Sequence, residues 1–258
     1  MFDPGFNIAP TTDPMGFDVG ADCFAPECEL RKMDAIRPSL RDPNCDGPDV
    51  VYSIAMDVGK SEHKPLLEKL HLLYGTVTYA AGRLGDEPIR SQGHIHSISP
   101  RCGWSTPEVY EIWQGEAIIY MQESAQDHPG RCFAVRAKPA EVVIVPPGWA
   151  HATISADPNH PLTFGAWCDR AYGFEYDDVR AHGGLAWFPL LDDTGRIYWE
   201  ANSAYEPSEL IEKCPADYAE LGLQKMVSIY RQFELQPDRF LFVPHPELVS
   251  NHWNGFIP

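Results

Sequence analysis

The sequence predicts a mainly β protein, a sandwich or barrel of many short strands, with N- and C-terminal extensions that include a few helices. Three observations carry this. Between residues 74 and 168, short runs rich in β-branched and aromatic residues recur at near-regular spacing, divided by turn residues. The 24 prolines and 20 glycines are enough to break 258 residues into many turns. Hydrophobic residues make up 44% and charged residues 22%, an ordinary globular balance that excludes wholesale disorder.

No internal repeat is visible, so the reading is one β-rich module with additions: an arm over 1–48, a barrel with a flanking helix over 49–200, and a helical or irregular extension over 201–258 packed on the same module. The arm is rich in Pro, Asp and Cys and reads as extended, with one short helix at CELRKMDAIR (28–37). DVVYSIAMDV (49–58) reads as a strand. SEHKPLLEKLHLLY (61–74) predicts a helix, with Ser61 as cap, Pro65 tolerated in the first turn, and Leu66, Leu67, Leu70 and Leu73 at helical spacing. The strand runs are YGTVTYAA, PIRSQGHIHS, PEVYEIWQG, EAIIYMQES, RCFAVRA, EVVIVPP, WAHATISA and PLTFGAWCD. Gly115, between PEVYEIWQ and EAIIYMQES, predicts a hairpin turn. HGGLAWFPLLDD and GRIYWEAN read as further strands. PADYAELGLQKMVSIYRQF (215–233) predicts a helix with Tyr218, Leu221, Met226, Tyr230 and Phe233 on one face, despite Gly222. The aromatic, proline-rich tail from Arg239 onward predicts irregular packing. The additions are expected to cover open sheet edges or to build a homodimer interface.

Charge narrows the function. A formal charge of −17 argues against nucleic acid or anionic lipid as a partner, and an anionic substrate would need a locally positive pocket. The acidic start MFDPGFNIAPTTDPMGFDVG does not read as a secretory signal, and no apolar run is long enough to cross a bilayer. Seven scattered cysteines, none in a CxxC pair, read as free thiols in a reducing cytoplasm.

The chemistry begins at SQGHIHS (91–97). Residues i and i+2 of a strand share a face, so His94 and His96 point together, either as the start of a metal site or as an exposed pair. TPEVYEIWQG puts Glu108 and Tyr110 on one face and Glu111 on the other, and VPPGWAHAT places His151 after a Pro-Pro-Gly turn. Three imidazoles and a carboxylate suit one divalent transition metal per chain: Fe, Mn, Ni or Zn.

These residues resemble the cupin superfamily, whose first motif is HxH, a glutamate, six residues and a glycine, and whose second is PxGxxH. Here they are His94, His96, Glu108 and Gly115, then Pro146, Gly148 and His151, with a long insertion SISPRCGWSTP between His96 and Glu108. Loop lengthening is thermodynamically cheap. More closely, GRLGDEPIRSQGHIH, TPEVYEIWQGEA, VVIVPPGWAHATIS and DRAYGFEYDD resemble the cupin-type glucose-6-phosphate isomerases first known from archaea, over roughly residues 74–180.

The resemblance implies a jelly-roll-like barrel and a metal-dependent interconversion of glucose 6-phosphate and fructose 6-phosphate. It implies His94, His96, Glu108 and His151 as metal ligands, and Glu108 and Tyr110 as catalytic groups. Ser91 and Gly93 would line the phosphate site, with Thr76 or Thr78 as a further candidate, and Tyr176 would lie near the sugar. Arg83 and Arg90, upstream of the histidines, offer guanidinium groups for phosphate. Three features depart from the family pattern: Ser91-Gln92 replaces Thr-Lys, and Cys168 and Phe174 stand where a tyrosine and a histidine are expected. Competing readings are another metal-dependent cupin, either a different phosphosugar isomerase or an Fe(II) dioxygenase that would depend on O₂, and a sugar-binding cupin without turnover.

Overall fold

Period-2 alternation resolves into two sheets packed face to face. The computed structural model describes residues 1–258. A six-stranded antiparallel sheet runs in the order Val142–Val145, Glu108–Gln114, Leu162–Asp169, Leu72–Tyr79, Val50–Met56, Glu29–Lys32. A four-stranded sheet runs Ala150–Ser155, Ala117–Gln122, Cys132–Ala137, Leu210–Lys213. Tyr110, Ile112, Val143, Val145 and Phe164 of the first sheet meet Ile119, Met121, Phe133 and Val135 of the second in one core. Their alternate neighbours turn outward: Val109, Trp113 and Ile144 pack under the terminal extensions, and Ile118, Tyr120 and Cys132 pack under Leu185 and Tyr205. This is the mainly β sandwich expected, and no helix in it is long and apolar enough to cross a membrane.

Gly115 is not in a hairpin. The Glu108–Gln114 and Ala117–Gln122 strands belong to different sheets, so Gly115 sits where the chain crosses between them. Its φ of +76° is left-handed, and a Cβ would lie 2.7 Å from the Pro161 carbonyl oxygen, so glycine is required there.

The extensions supply two edge strands. Residues 28–37 form a helix only at Met33–Ile36, because Glu29–Lys32 pairs antiparallel with Val50–Ile54 and satisfies the backbone groups of an otherwise open edge. Leu210–Lys213 pairs parallel with Cys132–Val135 and covers the other sheet. The helix expected over 61–74 is shorter, Lys64–Leu70 after a 3₁₀ turn at Ser61–His63, and Pro65 sits in its first turn. Ser61 provides no cap. His71, at φ +56°, ends the helix, and Leu73 takes its place in the strand period instead. The helix expected over 215–233 is broken in two: a 3₁₀ turn at Ala219–Leu221 stops at Gly222 (φ +79°), and a helix restarts at Ile229–Leu235, where the Ser228 side chain accepts the Arg231 N–H. Met226 lies between them and is 71% exposed, off the face it was assigned.

Glu111 ties this restarted helix to the barrel. It is fully buried on the outer face of its strand, where its carboxylate accepts the Ile229 N–H (2.8 Å) and the Trp113 indole N–H (3.2 Å). Burial pushes its pKa up to about 8. The folded state therefore holds a proton the unfolded chain has lost, and stability falls as pH rises from the ordinary carboxylate range through 8. In Glu111→Gln the carboxamide NH₂ must face one of these two donors, a cost that does not change with pH. Urea unfolding of wild type between pH 5 and 8.5 should show a decline of up to a few kcal/mol that the variant lacks; parallel pH profiles would contradict this.

Candidate functional site

His94, His96, Glu108 and His151 converge between the sheets, and their potential ligand atoms all lie within 4.8 Å of one another. Glu108 opens the strand next to the edge of the six-stranded sheet, and His151 lies near the start of the edge strand of the other. His94 bridges to His151 through paired backbone hydrogen bonds, N–H to carbonyl in both directions, at 3.0 and 2.9 Å. Ile95–His96 then pairs with Phe174–Glu175. Gly93 permits this path: its φ is +89°, and a Cβ would meet Leu185 at 2.9 Å.

Glu108 Oε2 lies 3.2 Å from His96 Nε2 and 3.3 Å from His151 Nε2, and it accepts the Tyr110 hydroxyl proton at 2.7 Å. Burial opposes its charge, but hydrogen bonding from His151 and His96 outweighs that and holds the carboxyl well below its usual range. Burial above all keeps His94 neutral, with its pKa well below ordinary. Tyr110 is held as a phenol by burial and the Glu108 charge.

The donor set fits a divalent transition metal. The Nδ1 atoms of His96 and His151 lie 2.9 and 3.0 Å from the Thr106 and Trp149 carbonyls, which can only accept. Each Nδ1 therefore carries a proton, which leaves each Nε2 to face inward, against Glu108 as the structure stands and free to turn its lone pair to a metal once the Nε2 proton is displaced. His94 Nε2 is buried without a hydrogen-bond partner, an expensive arrangement unless something else engages it.

The cavity beside the cluster holds about 80 Å³ and is lined by His94, Glu108, Tyr110, Ser91, Gln92 and Tyr176 among others. A roomier hollow of about 170 Å³ between Ala140–Val142 and Pro215–Met226 shares no residue with it and has no histidine or cysteine, so chemistry rather than volume selects the site. Ser91 lines the cavity while its Oγ accepts the Thr153 N–H.

Four expected phosphate ligands are elsewhere. Thr76 and Thr78 lie on the face of their strand opposite Val77 and Tyr79, which line the cavity, and their hydroxyls bond to the Phe164 carbonyl (3.0 Å) and to Thr163 (3.0 Å). Arg83 is exposed on a separate small hairpin. Arg90 is buried and consumed by Glu87 (2.6 Å) and by the Ser91 and Ser39 carbonyls.

Residues not singled out as ligands also shape the site. Cys168 donates to Glu108 Oε1 at 3.4 Å, and burial keeps it a thiol. The Phe174 ring lies 4.5 Å from that of His94 and walls off the outer side. Arg31 and Gln92 also line the cavity.

A family model described as glucose-6-phosphate isomerase (GPI) matches residues 35–208, well over half of the chain. The chain belongs to this family. The glucose-6-phosphate isomerase of Sinorhizobium medicae is 28% identical over 145 residues, covering 56% of this chain and 59% of the relative. That of Thermococcus litoralis is 29% identical over 139 residues, covering 54% and 64%. The chain thus spans less than two thirds of these family members. A solved structure described as oxalate oxidase overlays at a TM-score of 0.36 and 14% identity, covering 48% of this chain and 54% of that one. Family membership confirms the resemblance drawn from the HxH, EVY and PPGWAH segments.

The Arg90 contacts generate a test. Arg90→Met would leave the Glu87 charge buried with only the Arg41 backbone N–H as partner, so the urea-unfolding free energy should drop by about 3–5 kcal/mol. Wild-type stability with weakened phosphosugar binding would contradict the structural role.

Proposed function

We propose that this protein is a metal-dependent aldose-ketose isomerase interconverting glucose 6-phosphate and fructose 6-phosphate. Family membership and the names of its relatives support the reading. The observation that carries it is the placement of an ionised, buried Glu108 among three imidazoles, beside a phenol and a cavity.

A divalent transition metal held by His94, His96, Glu108 and His151 would polarise the carbonyl of an open-chain sugar and acidify the neighbouring hydroxyl. The chain's own residues handle position and protons. Isomerisation moves one hydrogen between C1 and C2 and one proton between O1 and O2. Glu108 is the only carboxylate lining the cavity, which makes it the base for an enediol route. Tyr110, kept protonated and bonded to Glu108, is placed to shuttle the hydroxyl proton. Tyr176 and Ser91 hold the substrate, and Gly93 lets the backbone bring His94 into line. Phe174 excludes water from the outer side.

The direct test is a coupled assay of fructose 6-phosphate conversion on chelator-treated protein, with Mn, Fe, Ni and Zn added back singly. Activity should return with metal, fall by about 10²–10⁴ in Tyr110→Phe and be lost in Glu108→Gln. In D₂O, deuterium should enter the C–H bond formed. Complete protium retention would reduce Glu108 to a ligand, and tight metal binding without turnover on this sugar would contradict the substrate assignment.

A further inference from the structure

A phosphorylated sugar brings a dianion to a chain of charge −17. The arginines nearest the metal motif in sequence do not meet it, since Arg83 faces solvent and Arg90 is locked to Glu87. The arginine that lines the cavity is Arg31, carried on the Glu29–Lys32 edge strand opposite Tyr52. It precedes the family-matched span, which begins at residue 35.

Arg31 is only partly engaged. Its Nη2 pairs with Glu29 at 2.6 Å, but the Glu29 side chain is 63% exposed, so water competes for that pair. Its Nε is buried with no hydrogen-bond partner. Across the same cavity wall stands Gln92, 1% exposed. Its Oε1 accepts two N–H groups of Arg180, at 3.0 and 2.8 Å. Arginine has no acceptor, so this grip fixes which end of the carboxamide is oxygen and leaves Nε2 as the free donor. That Nε2 is also buried and unpartnered. The Arg180 guanidinium is itself held over the Tyr176 ring, 5.0 Å from its centre. Two unsatisfied donors on one cavity call for an acceptor with several oxygens and negative charge.

We propose that Arg31 and the Gln92 carboxamide form the anion-reading end of the cavity, so that the N-terminal edge strand, outside the matched span, sets specificity for phosphorylated substrates. The proposal rests on the isomerase reading for the identity of the sugar, but not for the anion. Arg31 binds the phosphate through its guanidinium edge and exchanges Glu29 for it. Gln92 donates from Nε2, with Arg180 as its positioning residue.

The test is inorganic phosphate binding to the full-length chain by isothermal titration, with chelator present so that phosphate cannot report on a metal. Arg31→Gln and Gln92→Leu should each weaken binding about tenfold or more, Arg31→Lys should recover part of the loss, and Glu29→Gln should tighten binding. Tightening is a gain that a loosened fold would not produce. Phosphate affinity unchanged in both Arg31→Gln and Gln92→Leu overturns the proposal. If Arg31→Gln fails to fold, Gln92→Leu and Glu29→Gln decide, and no change in either overturns it. In the metal-loaded enzyme, Arg31→Gln should raise KM for fructose 6-phosphate with kcat little altered. Phosphate binding that depends on Arg31 without turnover of any phosphosugar would keep the subsite and reject the isomerase reading; turnover with KM and phosphate affinity untouched by Arg31→Gln would do the reverse.

Discussion

The contact of Glu108 with His96 and His151 joins the two sheets of the sandwich and imposes the demand that the surrounding structure meets. A carboxylate buried between β-sheets is costly unless its charge is compensated and its lone pairs are filled. Here the compensation is fixed from several directions. The paired backbone bonds between His94 and His151 pin the irregular 91–96 segment to the edge of the four-stranded sheet. The Thr106 and Trp149 carbonyls set the tautomers of two imidazoles, while Tyr110 and Cys168 occupy the remaining sides of the carboxylate. What is left over is the His94 Nε2, buried without a partner within 4.8 Å of the other three potential ligand atoms, the feature that points to a cation.

The terminal additions serve this centre indirectly. The N-terminal edge strand and the Leu210–Lys213 strand complete the sheets whose inner faces carry the ligands. Behind the six-stranded sheet, Phe6 of the arm and Tyr230 and Phe233 of the C-terminal helix pack on Tyr74, Trp113 and Trp167, and Glu111 anchors that helix through its first backbone N–H. Glu108 and Glu111 thus sit on opposite faces of one strand with opposite electrostatic fates. The first is surrounded by imidazoles and stays ionised, whereas the second meets only an amide and an indole and holds its proton into the neutral range.

The sequence was most legible where a strand has one kind of environment per face. His94, His96, Glu108, Tyr110 and His151 follow from two-residue periodicity and the spacing of two motifs, and the strands from 108 to 169 lie where alternation places them. Thr76 and Thr78 show the limit. Their strand is buried on both faces, so its composition carries no sign of which parity looks into the barrel. Arg31 was hidden for a different reason. The stretch around it has helical composition, and pairing at a sheet edge, a long-range event, overrides local propensity. Arg90 sits three residues from Glu87, close enough for an ion pair that spacing from the histidines does not disclose. Over 215–233, apolar residues fell by coincidence on one helical face, and Gly222 divided them.

His94, His96, Glu108 and His151 are arranged to hold one metal ion together. Equilibrium dialysis of the full-length protein against Mn²⁺ and Zn²⁺, with metal content measured per chain, tests it most directly. One tightly bound equivalent is expected, lost in both His96→Gln and His151→Gln while the variants keep the wild-type far-ultraviolet circular dichroism. Absence of saturable binding, or an equivalent that survives both substitutions, would contradict it.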